Sequence, residues 1–136
     1  MYRQRITLSA RGPGLHPITD EISGVVKASG IMEGVCSIFI QHTSASLLIT
    51  ENADPAVRRD LEKYFARVAP EGPGYEHDDE GPDDMPAHLR SALMPVSETI
   101  PVEGGRLALG TWQGIYVFEH RRAKHERKVI VSVMGD

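Results

Sequence analysis

The sequence predicts an α+β protein with a mainly antiparallel β-sheet, folded as a sandwich or a curled barrel with two or three helices. Segments rich in Val, Ile, Phe and Tyr outnumber the segments with helical periodicity. The last four strand-like segments follow one another too closely for parallel crossovers, so antiparallel pairing is expected. A length of 136 residues suits one domain, which we place over 1–136.

The first half of the chain contains strand signals on both sides of a helix signal. Residues 2–9 alternate largely apolar with polar side chains and predict a strand. After the turn-rich segment "RGPGLHP", residues 19–29 carry apolar side chains at helical spacing, and Gly30 is placed to end that helix. The stretch 34–52 is apolar on both sides of the polar centre "QHTSAS", which predicts two buried strands or one long bent strand.

Two helix signals enclose an acidic loop in the second half. Asp54 as N-cap and Pro55 at the first helical position predict a helix that ends before Pro70. The Gly-, Pro- and acid-rich segment "EGPGYEHDDEGPDD" predicts a loop, and "DMPAHLRSAL" predicts a short helix with Pro86 in its first turn. Four strands joined by tight turns follow, at roughly 96–102, 106–110, 113–120 and 127–133.

Composition excludes several classes of function. No stretch approaches the roughly 20 apolar residues that cross a bilayer, so no membrane span is expected. The net charge is −4 and the chain has no basic tract, which opposes binding to nucleic acid. The N-terminal segment lacks the apolar core of a secretory signal, and the single cysteine, Cys36, is typical of a reducing compartment. We therefore expect a cytoplasmic protein.

The segment 75–89 concentrates charge: six carboxylates lie between Glu76 and Asp84, accompanied by His77 and His88. Such a run is ordinarily a hydrated surface loop. Concentrated like charge also suits a divalent cation, because a bound ion offsets the repulsion between carboxylates. The spacing is not that of a calcium-binding loop. A solvated loop and a metal or substrate site both remain open.

Three histidines lie beside polar partners, namely His42, His77 and His88. Their separations match no local metal motif, so a shared site has to be assembled by folding. The simpler interpretation gives each a structural role: His77 exposed, His88 packed against Asp84, and His42 hydrogen-bonded in a sheet. Ser44 or Ser46, in the same segment "HTSAS" as His42, offers a hydroxyl nucleophile.

The segment "LGTWQGIY" is a second candidate region. Its glycines permit close backbone approach, while Trp112 offers a stacking face and Gln113 an amide. A plain hairpin turn with a core tryptophan explains the same residues. Downstream, Arg121 and Arg122 lie at the start of a basic turn, where a guanidinium is able to reach a phosphate.

Four segments together closely resemble the YjbQ-like family, also called secondary thiamine-phosphate synthases. They are "QHTSASLLITENADPAVRRDLE", "YEHDDEGPDDMPAHLRSAL", "IPVEGGRLALGTWQGIYVFEHR" and the terminal "MGD". The ordered motifs His-Thr-Ser-Ala, Glu-Asn-x-Asp-Pro, Met-Pro-x-His and Gly-Thr-Trp-Gln-Gly make the likeness specific over nearly the whole chain. The resemblance implies a YjbQ-like α+β domain that assembles as a homotrimer with pockets near subunit boundaries.

The resemblance also implies a weak thiamine-phosphate synthase activity. This reaction joins hydroxymethylpyrimidine diphosphate to thiazole phosphate and releases pyrophosphate, so the expected ligand is a small phosphorylated metabolite. A divalent metal, zinc or magnesium, suits the charge that develops on pyrophosphate, and no organic cofactor is expected. The usual thiamine-phosphate synthase resembles a TIM barrel, which takes about 250 residues, so any such site here is convergent or incidental.

Carried over position by position, the family's polar cluster suggests roles for individual residues. We expect His42, Ser44, Asp84 and His88 to be catalytic, with Asp84 orienting His88. The expected metal ligands are His42, His77 and His88. The expected substrate-binding residues are Thr43, Asn52, Arg90, Trp112, Gln113 and Arg121.

Two further classes of function fit the same residues. One is a trimeric metal- or metabolite-binding protein whose catalysis is incidental. The other is a metal-dependent hydrolase of a phosphoester, because histidines and carboxylates also activate water at a metal.

Overall fold

The structure is a computed structural model that describes residues 1–10 and 12–136, and these ranges contain three helices and eight strands. In chain order the elements are β1 Tyr2–Ala10, β2 Gly14–Pro17, α1 Thr19–Ser29, β3 Gly34–Ile40, β4 Ala45–Glu51, α2 Pro55–Val68, α3 Asp84–Leu93, β5 Ser97–Glu103, β6 Arg106–Leu107, β7 Gln113–Glu119 and β8 His125–Gly135. Every pairing in the described ranges is antiparallel. The predicted class is confirmed, and the architecture includes a curled half-barrel sheet. Across the described ranges, no helix combines the length and the apolar character needed to cross a membrane.

The strands form two sheets around one apolar core. The larger sheet has the order β1-β8-β3-β5-β6 and the smaller has the order β2-β7-β4. Helix α1 covers the core with its buried face, formed by Ile22, Val25 and Val26. A smaller apolar cluster lies between the other face of the small sheet and α2 and α3, where Phe118 contacts Phe65. Helix α3 is thereby placed beside the start of β4.

Most of the predicted elements are present. The stretch 34–52 forms two strands in different sheets, with the polar turn 41–44 between them. Helix α2 begins as expected, because Asp54 Oδ1 accepts a hydrogen bond from the Ala56 N–H at 2.9 Å and Pro55 occupies the first helical position. Helix α1 ends at Gly30, whose φ of 70° is the left-handed conformation that favours glycine.

Two expectations about the strands were wrong. The segment "GLHP" in the predicted turn is β2, a four-residue edge strand whose partner is β7, so long-range pairing rather than local pattern defines it. The last four strands do not form successive hairpins. Only β5 and β6 pair with each other, because the loop after the two-residue β6 carries the chain into the other sheet. Strand β8 then returns to pair with β1 and β3.

Glycine at position 34 is required by the close approach of β3 and β8. A Cβ atom on Gly34 would lie 1.9 Å from the carbonyl oxygen of Met134, so alanine forces the strands apart. We expect Gly34→Ala to lower the free energy of unfolding by about 1–3 kcal/mol. As a matched control, Gly24→Ala meets no atom of the described chain within 4 Å and lies inside α1, where alanine stabilises a helix by about 0.5–1 kcal/mol. Urea denaturation measures both, and equal effects of the two substitutions would contradict this explanation.

Candidate metal centre and adjoining pocket

Asp84 is the centre of the candidate site. It is the first residue of α3 and follows the acidic loop, and it is only 3% exposed. Its Oδ1 accepts a hydrogen bond from Arg121 Nη1 at 2.6 Å, which orients the carboxylate. Its Oδ2 lies 2.7 Å from His77 Nε2 and 3.1 Å from His88 Nε2. His88 reaches this position because it lies one helical turn after Asp84 on the same face of α3.

A backbone contact sets the tautomer of His88. Its Nδ1 lies 2.9 Å from the Thr43 carbonyl oxygen, which can only accept, so Nδ1 carries the hydrogen and donates it. In the neutral ring, Nε2 then presents a lone pair to the oxygen of Asp84. Two lone pairs that face each other repel, and a proton or a cation between them removes the repulsion. A hydrogen bond from the second ring nitrogen to a backbone carbonyl is typical of metal-binding histidines.

Ion pairing holds the cluster together when it is protonated. The hydrogen bond to Asp84 raises the pKa of His77, and the nearby charges of Asp79 and Glu80 act in the same direction. Burial by itself would raise the pKa of Asp84, but His77, His88 and Arg121 outweigh burial and lower that pKa. A divalent cation would take the place of the shared proton, so metal binding at this site releases protons.

The three donor atoms lie close enough together to bind one metal ion. His77 Nε2, Asp84 Oδ2 and His88 Nε2 all lie within 4.8 Å of one another. Two imidazoles and one carboxylate are a known ligand set of catalytic zinc, which keeps a further position open for water or substrate. In the middle of the acidic run, Asp78, Asp79 and Glu80 are exposed, and Asp79 and Glu80 form a second candidate ligand group with His77.

His42 does not join this cluster in the structure. Its Nε2 accepts a hydrogen bond from the Lys128 N–H at 2.8 Å, and its Nδ1 lies 3.3 Å from Arg127 Nη1. Burial and the charge of Arg127 lower the pKa of His42, which favours the neutral form of the ring. The expected set of three histidines is therefore divided: His77 and His88 converge with Asp84, while His42 lies on the wall of a pocket that His88 also lines.

That pocket has a volume of about 650 Å³ and lies between the β3–β4 turn and α3. Its lining residues are Phe39, Ile40, Gln41, His42, Thr43, Ser44, His88, Ser91, Ala92, Val96 and Arg127. The hydroxyl of Ser44 accepts a hydrogen bond from Arg127 Nη2 at 3.0 Å, so it contacts a guanidinium rather than an imidazole base. The pocket therefore combines an apolar rim with one arginine beside the candidate metal ligands.

A buried ion pair behind the pocket was not anticipated from the sequence. Glu119 at the end of β7 is fully buried, and Arg127 on β8 is 2% exposed. Arg127 donates from Nε and Nη2 to the two oxygens of Glu119, and it also donates to the carbonyl oxygen of Ser44 at 3.2 Å. This pair fixes the turn that carries Thr43, the acceptor for His88. The isolated charges in the otherwise apolar runs "GIYVFE" and "RKVIV" were the available signal.

Four of the expected substrate-binding residues lie away from the metal ligands. Asn52, Trp112 and Gln113 are at the far end of the β4–β7 pair, about 20 Å along the strand from Glu119. Trp112 is 64% exposed and is not a core residue. Arg90 faces another cavity and donates from Nη2 to the Ala69 carbonyl oxygen at 2.8 Å. Thr43 and Arg121, in contrast, each contact a member of the cluster.

His120, which is 2% exposed, makes the protein sensitive to mild acid. Burial, together with the charge of Arg90, lowers the pKa of His120 from 6.5 to about 3. Below about pH 6.5 the unfolded chain therefore binds a proton that the folded chain does not bind. The free energy of unfolding decreases as the pH is lowered, by up to about 1.4 kcal/mol per pH unit. We expect His120→Phe, which cannot titrate, to flatten this dependence between about pH 7 and pH 5 in urea denaturation. An unchanged pH dependence of stability in this variant would contradict the attribution of that dependence to His120.

Comparison with known proteins identifies the family. The model of the family described as UPF0047 protein YjbQ-like matches residues 4–136. A UPF0047 protein of Synechocystis sp. is 50% identical over 136 residues, covering 99% of this chain and 92% of the relative. The UPF0047 protein YjbQ of Salmonella typhimurium is 47% identical over 138 residues, covering 99% of each chain.

Solved structures agree with the sequence relatives. A YbjQ-like protein of unknown function from Sulfolobus solfataricus superposes with a TM-score of 0.91 at 29% identity, covering 99% of this chain and 97% of the other. An uncharacterized YjbQ/UPF0047 family protein from Clostridium acetobutylicum has a TM-score of 0.89 at 36% identity, covering 96% and 99%. The chain belongs to the UPF0047 protein YjbQ-like family.

Proposed function

We propose that this protein is an enzyme that uses a divalent cation, held by His77, Asp84 and His88, to act on a small phosphorylated metabolite. The convergence of two imidazole nitrogens on the free oxygen of a buried carboxylate supports this proposal most directly. Zinc is the first choice because nitrogen donors suit it better than magnesium, which prefers oxygen ligands. Thr43 and Arg121 orient the ligands, as groups around a metal site commonly do.

The reaction that we propose is the synthesis of thiamine phosphate, as the family resemblance suggests. The thiazole nitrogen attacks the methylene carbon of hydroxymethylpyrimidine diphosphate, the carbon–oxygen bond breaks, and pyrophosphate leaves with the electron pair. A bound cation would neutralise the negative charge on the departing pyrophosphate. Arg121 adds positive charge beside Asp84, while His42 and Ser44 contact the substrate from the pocket wall. We leave Asn52, Arg90, Trp112 and Gln113 out of this site because of their placement.

A homotrimer in the cytoplasm is part of the same proposal. The outer face of the large sheet presents Val35, Phe39 and Met134, which are 37%, 45% and 41% exposed. Grouped apolar side chains on an open sheet face are typical of a subunit interface. Phe39 also lines the pocket, so a neighbouring subunit on this face would border the substrate. The free thiol of Cys36 is buried and suits a reducing compartment.

Hydrolysis of a phosphoester is the second candidate function. The ligand set of His77, Asp84 and His88 leaves room for a metal-bound water, and such a water is a nucleophile near neutral pH. A binding protein without significant turnover would use the same ligands. The synthase, the hydrolase and the binding protein predict different outcomes of the same incubation.

The test incubates the purified protein and zinc with the two thiamine precursors and separates the products by chromatography. We expect equimolar thiamine phosphate and pyrophosphate, lost on chelation and lost in His88→Ala. The matched control is His16→Ala, since the side chain of His16 hydrogen-bonds only to the Gly12 carbonyl oxygen among the described residues and lies outside the pocket. Release of inorganic phosphate without thiamine phosphate would show that the protein is a hydrolase and not a synthase. Stoichiometric zinc without any product would identify a binding protein.

A further inference from the structure

A second cavity lies on the other side of α3 from the metal centre. It has a volume of about 280 Å³ and lies between α2, α3 and the end of β7. Among the described residues, it shares no lining side chain with the larger pocket. Its lining residues are Pro13, Gly14, Glu62, Phe65, Ala66, Glu71, Asp83, Arg90, Phe118, Glu119, His120 and Arg122.

Two buried nitrogen atoms on the lining residues lack partners. Arg90 Nε and His120 Nδ1 are both shielded from solvent, and neither has a hydrogen-bond partner among the described residues. His120 is 2% exposed and its other nitrogen, Nε2, lies 2.9 Å from the Ser46 hydroxyl. The Ser46 hydroxyl also lies 3.5 Å from Ser91 Oγ, and its shorter contact with Nε2 favours donation to the imidazole, which places the hydrogen of His120 on Nδ1. Buried donors are nearly always paired, so we expect a ligand in this cavity to place acceptor atoms against these two nitrogens.

The charges around the cavity provide no excess of positive charge to attract an anionic ligand. Four carboxylates line it, against two guanidinium groups. The carboxylate of Glu119 is compensated by Arg127, and Arg122 pairs with Glu71. Asp83 Oδ1 lies 3.3 Å from Arg121 Nε, so Glu62 and Arg90 are left as one charge of each sign. Asp83 receives further hydrogen bonding from the Arg122 N–H at 2.8 Å. Because no positive charge is left in excess, the cavity favours an uncharged ligand over phosphate or carboxylate, and its carboxylates are able to accept from a donor group on that ligand.

The apolar part of the lining is aromatic. Phe65 and Phe118 meet edge to face, with ring centroids 5.9 Å apart, and Phe118 lies 4.8 Å from the ring of His120. Flat aromatic walls bind planar rings by stacking and edge contacts. The small volume limits the ligand to about one or two rings.

We propose that this cavity binds an uncharged, amino-substituted nitrogen heterocycle of nucleobase size, which accepts hydrogen bonds from Arg90 and His120 and donates its amino hydrogens to Asp83 or Glu62. The site shares no lining residue with the pocket beside the metal centre in the described ranges, and the contact of Asp83 with Arg121 is the link between the two sites. It is separate from the synthase reaction and holds whether or not that reaction occurs.

Cytosine and uracil are matched probes because they differ mainly in an amino group that replaces a carbonyl oxygen. Isothermal titration calorimetry of the full chain without added metal is expected to show cytosine binding at one site per chain. Uracil, whose second carbonyl would face a carboxylate, should bind at least about tenfold more weakly. Failure of the wild-type protein to bind cytosine, or equal affinity for both bases, would overturn the proposal.

Variants locate the binding in this cavity. Ala66→Trp fills the cavity from an exposed helix position and should abolish cytosine binding, whereas Arg67→Trp, on the neighbouring exposed position outside the cavity, should not change it. Arg90→Met removes one donor and should weaken binding by about tenfold or more. His88→Ala, which disables the metal centre, should bind cytosine like the wild type. Cytosine binding that persists in Ala66→Trp, or that is lost in His88→Ala, would refute this location.

Discussion

Replacement of Asp84 by alanine is expected to weaken zinc binding by more than about 100-fold and to remove zinc-dependent turnover. Asp84 supplies the only carboxylate oxygen in its three-donor group, and both histidines approach that oxygen. Loss of the carboxylate also removes the partner of Arg121 Nη1. Isothermal titration calorimetry with zinc measures the affinity, and far-ultraviolet circular dichroism verifies the fold.

Asp78→Ala is the matched control for Asp84→Ala. Asp78 belongs to the same acidic loop, but it is exposed and is not a member of either candidate ligand group in the described residues. Both substitutions remove one negative charge, so a purely electrostatic attraction of zinc to the loop predicts similar effects. A large effect of Asp84→Ala with none from Asp78→Ala supports coordination. Equal, small effects would show that the loop attracts cations without a defined centre.

The substitution Arg127→Met should lower the free energy of unfolding by about 3–5 kcal/mol, the largest stability effect that we expect in this chain. It leaves the fully buried carboxylate of Glu119 without its charged partner. The turn of Ser44 also loses two hydrogen bonds. Urea denaturation near neutral pH is the appropriate measurement.

Two comparisons make the Arg127 prediction specific. The double variant Glu119→Leu/Arg127→Met should recover part of the loss, because no isolated charge then remains buried. Arg122→Met breaks an exposed ion pair with Glu71 and should change stability by only about 0–1 kcal/mol. A double variant that is less stable than the sum of its single variants would contradict the view that the uncompensated charge dominates.

Local pattern was sufficient for the elements that carry their own signals. Helix α2 has an N-cap and a first-turn proline and was predicted, while the apolar runs of β3 and β4 predicted either two strands or one long bent strand. Strand β2 has four residues and no periodicity, and its only reason to be a strand is the free edge of β7. Sheet order also depends on pairing across the whole chain, which the hydrophobic pattern of single strands does not contain.

In the candidate site, too, local spacing predicted some contacts and not others. His88 and Asp84 are one turn apart on a predicted helix, so their contact followed from spacing. His42 was grouped with them by its chemistry and by the family resemblance, yet its Nε2 accepts from the Lys128 N–H of β8 and Arg127 lies beside its Nδ1. The Glu119–Arg127 pair joins neighbouring strands in chain order that belong to different sheets, so no local rule would place them in contact.

Anomalous scattering from crystals grown with zinc tests the metal centre most directly. We expect one strong peak about 2.0–2.2 Å from His77 Nε2, Asp84 Oδ2 and His88 Nε2, with the Thr43 carbonyl oxygen still accepting from His88 Nδ1. The same crystals of Asp84→Ala should lack the peak. Zinc-saturated wild-type crystals with no peak at these three atoms, or with zinc bound through His42 instead, would contradict the proposed centre.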